Sequence, residues 1–358
     1  MAKADDSPAF TRAWGALCGA SGGTLTLAVP AGHTFLLKPV KFEGPCKSNS
    51  VHIQVEGSIA APSTVAAWGG CGILCWLCFS NVNGLVLDGS GQIDGRGSLW
   101  WNHALLFKNS NNLKLSGLNV VNSPRSHVYL RDCKGVSVSG LKITAPGNSP
   151  NTDGIDASGS SQVNIVDSTI GTGDDCIAIK GGCSNINITG IICGPGHGIS
   201  VGSLGENGAT EQVEEVHVRN CSFTRTQNGA RIKTVPGHAR RITFEQITLN
   251  EAGNPIIIDQ HYCDGKKEGC PDQPKAVAVS DVSFTGVRGP SSDGQAITLD
   301  CAAIGCNNIR MVRVAISSSV AGKRSTAFCR NAHGTSVSTE PAVPCLSGRA
   351  FAGKFLTQ

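Results

Sequence analysis

The sequence predicts an all-β chain wound as a parallel β-helix, a solenoid of short strands closed at its N-terminus by a helix. Three observations carry that prediction. Glycine supplies 45 of the 358 residues while charged residues make up only 16%, which describes a turn-rich chain with little exposed helix. A brief apolar alternation recurs at Leu113-Lys114-Leu115, Val136-Ser137-Val138, Val163-Asn164-Ile165, Ile186-Asn187-Ile188, Val216-His217-Val218, Ile242-Thr243-Phe244, Val282-Ser283-Phe284 and Ile309-Arg310-Met311. Between these phrases stands a second series, in constant order: Gly154-Ile155-Asp156-Ala157, Cys176-Ile177-Ala178-Ile179, Gly198-Ile199-Ser200-Val201, Arg231-Ile232-Lys233-Thr234 and Ile256-Ile257-Ile258-Asp259.

The elements follow in chain order. Asp6-Ser7-Pro8 ahead of a run holding Phe10, Trp14 and Leu17 predicts a helix over about 5–20, suited to cap an open tube. Each coil then offers three short strands: a phrase, a second alternation such as Leu141-Lys142-Ile143 or Ile191-Ile192-Cys193, and a member of the second series. Coils stack at roughly 4.8 Å and bury one face of every strand. Successive phrases lie 23 to 40 residues apart, so the longer offsets mark loops that grow outside the tube. A β-sandwich would also show short alternations, but the fixed order of the two series favours the solenoid. Past Val320 the repeat is lost, and residues 320–358, with Cys329 and Cys345, are expected to pack as an irregular C-terminal cap. Residues 1–358 then make one domain.

An apolar content of 40% allows a large core and excludes disorder. Sixteen cysteines point to disulfides and an oxidising compartment, and Cys75 and Cys78 form the single CxxC pair, which argues against a zinc ribbon. The formal charge of +4 mildly favours an acidic partner, without the Lys/Arg block that nucleic acid or an anionic membrane would call for. The apolar stretch Gly72 to Phe79 is too short to span a bilayer. Met1 to Asp6 is polar, so the export leader expected of such a chain would stand outside this sequence.

Ionisable residues fall in step with the repeat. Asp153 lies in Asn151-Thr152-Asp153-Gly154, Asp174 and Asp175 in Gly171-Thr172-Gly173-Asp174-Asp175-Cys176, and His197 in Gly194-Pro195-Gly196-His197-Gly198. Twenty-two residues separate Asp153 from Asp175 and Asp175 from His197, which stacks them on three successive coils. Aligning the coils on Ile155, Ile177, Ile199 and Ile232 turns Arg231 and Lys233 outward over the same sheet. Strict alternation would point Asp153, Asp175 and His197 inward. The turn that opens each strand is expected to break the alternation, because burying three unpaired ionisable groups costs too much. Stacked carboxyls cannot all ionise independently, and one protonated beside one ionised carboxyl is what glycoside hydrolysis requires. Arg231 and Lys233 suggest an anionic substrate, a carboxylate or a sulfate. Taken singly these motifs read as a turn, a calcium loop, a solvated histidine and a solvated strand face. Their order and equal offsets favour a joint site, although spacing does not choose between Asp174 and Asp175 as the acid.

The motifs resemble those of plant polygalacturonases, pectin-degrading glycoside hydrolases with the right-handed parallel β-helix fold. The likeness covers nearly the whole chain through Gly44-Pro45-Cys46-Lys47, Gln92-Ile93-Asp94-Gly95-Arg96-Gly97, Asn151-Thr152-Asp153, Gly173-Asp174-Asp175-Cys176, Gly194 to Ser200, Arg231-Ile232-Lys233, and Ile256 to Gln260 with Tyr262. It implies hydrolysis of α-1,4-linked galacturonan with inversion, without metal or other cofactor, by a secreted monomer acting in the cell wall. Endo action is expected, since no insertion beside the cleft motifs is long enough to block one end. By the same resemblance Asp174 is the general acid, Asp153 and Asp175 hold and activate water, and His197 tunes the acid. Arg231 and Lys233 bind the galacturonate carboxylate, and Tyr262 contacts the sugar. An inverting pair is expected to stand about 6.5–9.5 Å apart. The resemblance further implies disulfides Cys18–Cys46, Cys176–Cys193, Cys263–Cys270, Cys301–Cys306 and Cys329–Cys345. A calcium-dependent pectate lyase, a rhamnogalacturonan hydrolase and a non-catalytic pectin-binding protein are the alternatives.

Overall fold

Strands of the computed structural model, which describes residues 4–23, 25–64, 75–97, 103–205, 210–234, 237–262 and 278–346, stack in three ladders with every pair parallel. The first ladder holds the recurring phrases. Val136, Val163, Ile186, Val216, Ile242, Val282 and Ile309 lie in register down its length, all buried. The same ladder begins earlier than the phrases, at Thr26–Val29, Val51–Val55 and Leu85–Asp88. The second ladder takes the short alternations, such as Lys142–Thr144 and Ile192–Cys193. The third has 11 strands, from Val40–Glu43 to Thr326–Arg330, and carries the second series. One continuous apolar core fills the space between ladders. A parallel β-helix is the result that a three-strand repeat with one buried face per strand dictates.

In the third ladder Ile155, Ile177 and Ile199 are in register as expected, but Ile199 then pairs with Ala230, and Ile232 with Val201. The alignment of Ile232 on Ile199 was therefore two residues off. A bulge between Val201 and Leu204 accompanies the change, and a shift of two leaves every side chain on its original face.

The helix runs Ser7–Gly19 and buries Phe10, Trp14 and Leu17. Trp14 packs edge-on to Phe42 at 5.2 Å, and Phe42, Phe79 and Phe107 stack on successive coils at 4.6 and 5.0 Å. Asp6 sits at the N-cap, where its carbonyl accepts from the Ala9 and Phe10 N–H groups but its side chain makes no bond to the helix. Its carboxylate accepts instead from the Leu36 N–H at 2.9 Å, and Ser7 Oγ accepts from the Lys38 N–H at 2.8 Å, which stitches the cap to the first coils.

The expected irregular cap over 320–358 is corrected by the structure. Thr326–Arg330 extends the third ladder and Ala332–Glu340 the first, followed by a short 3-10 turn at Pro344–Leu346. Among the described residues the last coil has no neighbour beyond it and its strands are largely exposed, and Ala332–Glu340 lacks the apolar alternation that marks inner coils.

Disulfides join Cys18–Cys46, Cys176–Cys193, Cys301–Cys306 and Cys329–Cys345, as the resemblance implied, and also Cys75–Cys78. Cys71, Cys263 and Cys270 lie outside the described residues. Cys133, Cys183 and Cys221 are buried thiols. No described helix is long and apolar enough to cross a membrane.

Ile177 is fully buried between Ile155 and Ile199. Ile177→Ala is expected to lower unfolding free energy by about 2–5 kcal/mol, measured by denaturant titration, because a stack of fixed layers cannot collapse onto the gap.

Candidate active site

Each third-ladder strand is entered by a turn, and those turns carry the reactive groups. Backbone hydrogen bonds from the His127 N–H to the Asp153 carbonyl and from the Gly154 N–H to the Asp175 carbonyl hold these turns in register. On the strands themselves one outward column reads Tyr129, Asp156, Ala178, Ser200, Arg231. Turn and column together line a cleft that takes in Asp153, Asp156, Asp174, Lys180, His197, Arg231, Lys233 and Tyr262. The predicted site residues are thus brought together, with Asp175 buried directly beneath.

Asp175 is 0% exposed, and its carboxylate turns toward the outward column, so the entry turn does break the alternation. Its Oδ1 accepts from Arg231 Nη2 and from the Ser200 hydroxyl, both at 2.7 Å, and its Oδ2 accepts from Lys233 Nζ at 3.0 Å. Arg231 Nε also donates to Ser200 Oγ at 2.8 Å. Burial alone would raise the Asp175 carboxyl, but the Arg231 and Lys233 charges outweigh it and hold it below the ordinary carboxylate range. Gly202 allows the Lys233 strand its close approach, since a Cβ there would meet the Lys233 carbonyl oxygen at 1.9 Å.

Asp174 bonds His197, with Nδ1 to Oδ1 at 3.0 Å, and the same Oδ1 accepts from the Asp175 N–H at 2.8 Å. The His197 N–H also donates to the Asp174 carbonyl at 2.7 Å, so two contacts fix the pair. Burial pushes the Asp174 carboxyl upward, but the His197 hydrogen bond and charge outweigh it and bring the group down to about 2. Asp153 goes the other way. Burial first, then the charges of Asp156, Asp175 and Asp174, raise its carboxyl well above the usual range, against an opposing pull from Lys180.

Two features escaped the sequence reading. His127, one coil before Asp153 in the same place, is fully buried, and burial pushes its ring down to about 4. Its Nδ1 bonds the Asp153 carbonyl at 3.1 Å, and its Nε2 accepts from the Ser123 N–H at 3.2 Å, which anchors the Asp153 turn. Asp156, also buried, receives Lys180 Nζ at 2.8 Å. The Asp156 and Lys180 pair could have been found, because the alternation that turned Arg231 outward applies equally to Asp156 beside Ile155 and to Lys180 beside Ile179. Tyr262 lies where expected, with Lys233 Nζ 5.4 Å from its ring centroid.

Asp174, Asp175 and His197 present atoms within 4.8 Å of one another, as do Asp259, His261 and Asp300. A cation at the first set would compete with Arg231 and Lys233 for Asp175, and at the second with Arg330, which bonds Asp300 at 2.7 Å. The 4.8 Å limit also places the nearest oxygens of Asp174 and Asp175 inside the spacing expected of an inverting pair.

The raised Asp153 carboxyl has a stability consequence. A group harder to ionise when folded than when unfolded disfavours the folded state once pH exceeds its unfolded value, about 3.9. Asp153→Asn is expected to be more stable than the parent at neutral pH, with the gap closing as pH falls toward 4. Denaturant midpoints at the two pH values check it.

The model of the family "Glycosyl hydrolases family 28" matches residues 18–340. A "Probable polygalacturonase" of Arabidopsis thaliana is 46% identical over 96% of this chain and 77% of its own length. A "Polygalacturonase" of Malus domestica is 41% identical over 86% of this chain and 70% of its own. Among solved structures, an endo-xylogalacturonan hydrolase from Aspergillus tubingensis superposes with a TM-score of 0.73 at 26% identity, covering 97% of both chains. A polygalacturonase from Erwinia carotovora gives 0.74 at 23% identity, over 94% of this chain and 95% of its own, a likeness of fold. Sequence relatives spanning most of the chain, the same solenoid and a carboxylate cleft on its third ladder converge on one conclusion: the chain belongs to glycosyl hydrolase family 28.

Proposed function

We propose that the protein hydrolyses the α-1,4-galacturonosyl linkages of polygalacturonate by acid and base catalysis with inversion. The observation that carries this is a cleft holding three carboxyls of unequal proton affinity beside two cations. In the arrangement the family resemblance implies, Asp174 protonates the leaving oxygen, and Asp153 and Asp175 hold the water. His197 governs the charge state of Asp174. Arg231 and Lys233 use between them only part of their eight N–H groups on Asp175 and Ser200, which leaves donors for a galacturonate carboxylate. The Tyr262 ring borders the same place and would pack on the sugar.

A specific observation favours a second assignment. In the free cleft Asp153 is the carboxyl whose proton affinity burial and like charge raise, while His197 brings Asp174 down to about 2. Asp153 would then be the acid, Asp174 the base and Asp175 the fixed counter-charge of Arg231 and Lys233. An oligogalacturonide with an aryl leaving group that needs no protonation separates the two assignments. Loss of the acid should cost about 10²–10⁴ in kcat on polygalacturonate and far less on the aryl substrate. Rescue in Asp174→Asn supports the first assignment; rescue only in Asp153→Asn supports the second. Release of the β-anomer as first product, seen by proton NMR, is the outcome that inversion requires.

Cleft residues come from consecutive coils between Tyr129 and Tyr262, so the groove runs along the solenoid axis for several layers. That length supports endo action on a polymer threaded through it, and a fall in polygalacturonate viscosity well ahead of reducing-end release would bear this out. Equal progress of the two signals would mean attack from an end. The disulfides suit an oxidising compartment, which supports secretion to the cell wall, and the groove needs no second copy, which supports a monomer.

A further inference from the structure

The Asp156 and Lys180 pair has no part in the roles just assigned. Asp156 is 1% exposed, and its Oδ2 is bonded by Lys180 Nζ at 2.8 Å. Its Oδ1 is equally buried, lines the cleft through its residue, and has no hydrogen-bond partner among the described residues. An ionised oxygen left without a donor is costly, so its place in the cleft points to a donor brought by a ligand. Lys180 has three N–H donors, one of which goes to Asp156, and its ammonium lies 5.6 Å over the Tyr129 ring.

Register fixes the distance of this pair from the established cations. Lys180, Gly202 and Lys233 each follow a residue of the row Ile179, Val201, Ile232, which places Lys180 two layers from Lys233 along the groove, roughly 10 Å. A uronate chain lying in the cleft with one carboxylate at Lys233 must pass Lys180.

We infer that Asp156 and Lys180 form a second substrate-recognition pair, in which Asp156 Oδ1 accepts a sugar hydroxyl and Lys180 binds a second uronate carboxylate. Lys180 is then a specificity residue that distinguishes free uronate from its uncharged methyl ester at that position. This rests on the galacturonan reading above.

The test measures binding by calorimetry in the Asp174→Asn background, which prevents turnover, with trigalacturonate and its trimethyl ester as probes. Lys180→Gln is expected to weaken the acid about fivefold or more and to leave the ester within about twofold, while Lys180→Arg keeps the preference for acid. Loss of affinity in equal proportion for both probes, or for neither, overturns the inference. If Lys180→Gln does not fold because Asp156 is left buried without a counter-ion, Asp156→Asn/Lys180→Gln keeps a neutral hydrogen-bonded pair, and the same loss of acid preference is expected. A parent protein that neither binds trigalacturonate nor cleaves polygalacturonate overturns the galacturonan reading itself.

Discussion

Parallel register between coils is the constraint on which both the core and the cleft depend. Each residue of a strand has one neighbour above and one below, set by backbone hydrogen bonds about 4.8 Å apart. Ile155, Ile177 and Ile199 are buried together because the register leaves them no other neighbours, and the column Tyr129, Asp156, Ala178, Ser200, Arg231 lies on the opposite, cleft-side face of the same strands for the same reason. A slip by one residue would exchange the two columns and destroy core and site at once. Ser200 and Arg231 keep that pairing, and the one irregularity of this strand pair, a bulge between Val201 and Leu204, comes after it.

Reactive groups sit at the turns because turns are where the alternation can be broken. Asp175 directly precedes Cys176, which is bonded to Cys193, and its carboxylate is buried yet reaches Ser200 and Arg231 on the outward column. The buried charge is tolerable because Arg231, Lys233 and Ser200 fill three of its lone-pair directions. Asp153 has three carboxylates near it, so burial and like charge together raise its proton affinity against the pull of Lys180. One catalytic cluster therefore holds carboxyls of opposite tendency, separated by which of them the cations reach.

Much of this was legible in the sequence, for identifiable reasons. The phrases from Leu113 onward were visible because inner coils bury one face of each strand, and the equal offsets of Asp153, Asp175 and His197 were visible because the coils there have no inserted loops. The last coil was missed since its first-ladder strand, Ala332–Glu340, is covered on one side only and needs no apolar alternation. Ile232 was misaligned because Ala230 and Ile232 are both apolar and face the same way, so the alternation does not say which of them meets Ile199. His127 and Asp156 were missed for a different reason. Their roles arise between coils and not within a motif, His127 under the Asp153 carbonyl and Asp156 beside Lys180.

The hardest feature to read from sequence is the placement of the single mobile proton. Asp153, Asp174 and Asp175 are the same residue type on two adjacent coils, and nothing in their spacing ranks them. The ranking comes from unlike surroundings: His197 from the next coil lowers Asp174, Arg231 and Lys233 from two coils on lower Asp175, and burial, then the neighbouring carboxyls, raise Asp153 against Lys180. Proton affinity therefore differs along the solenoid axis, lower where His197, Arg231 and Lys233 reach and higher at Asp153. A substrate chain in the cleft would bring its own carboxylate to Arg231 and Lys233, weaken their hold on Asp175, and raise the proton affinity of that end. The bound polyanion therefore acts on the same balance that sets acid and base, and the ionisation order of the free cleft is the starting state from which binding shifts it.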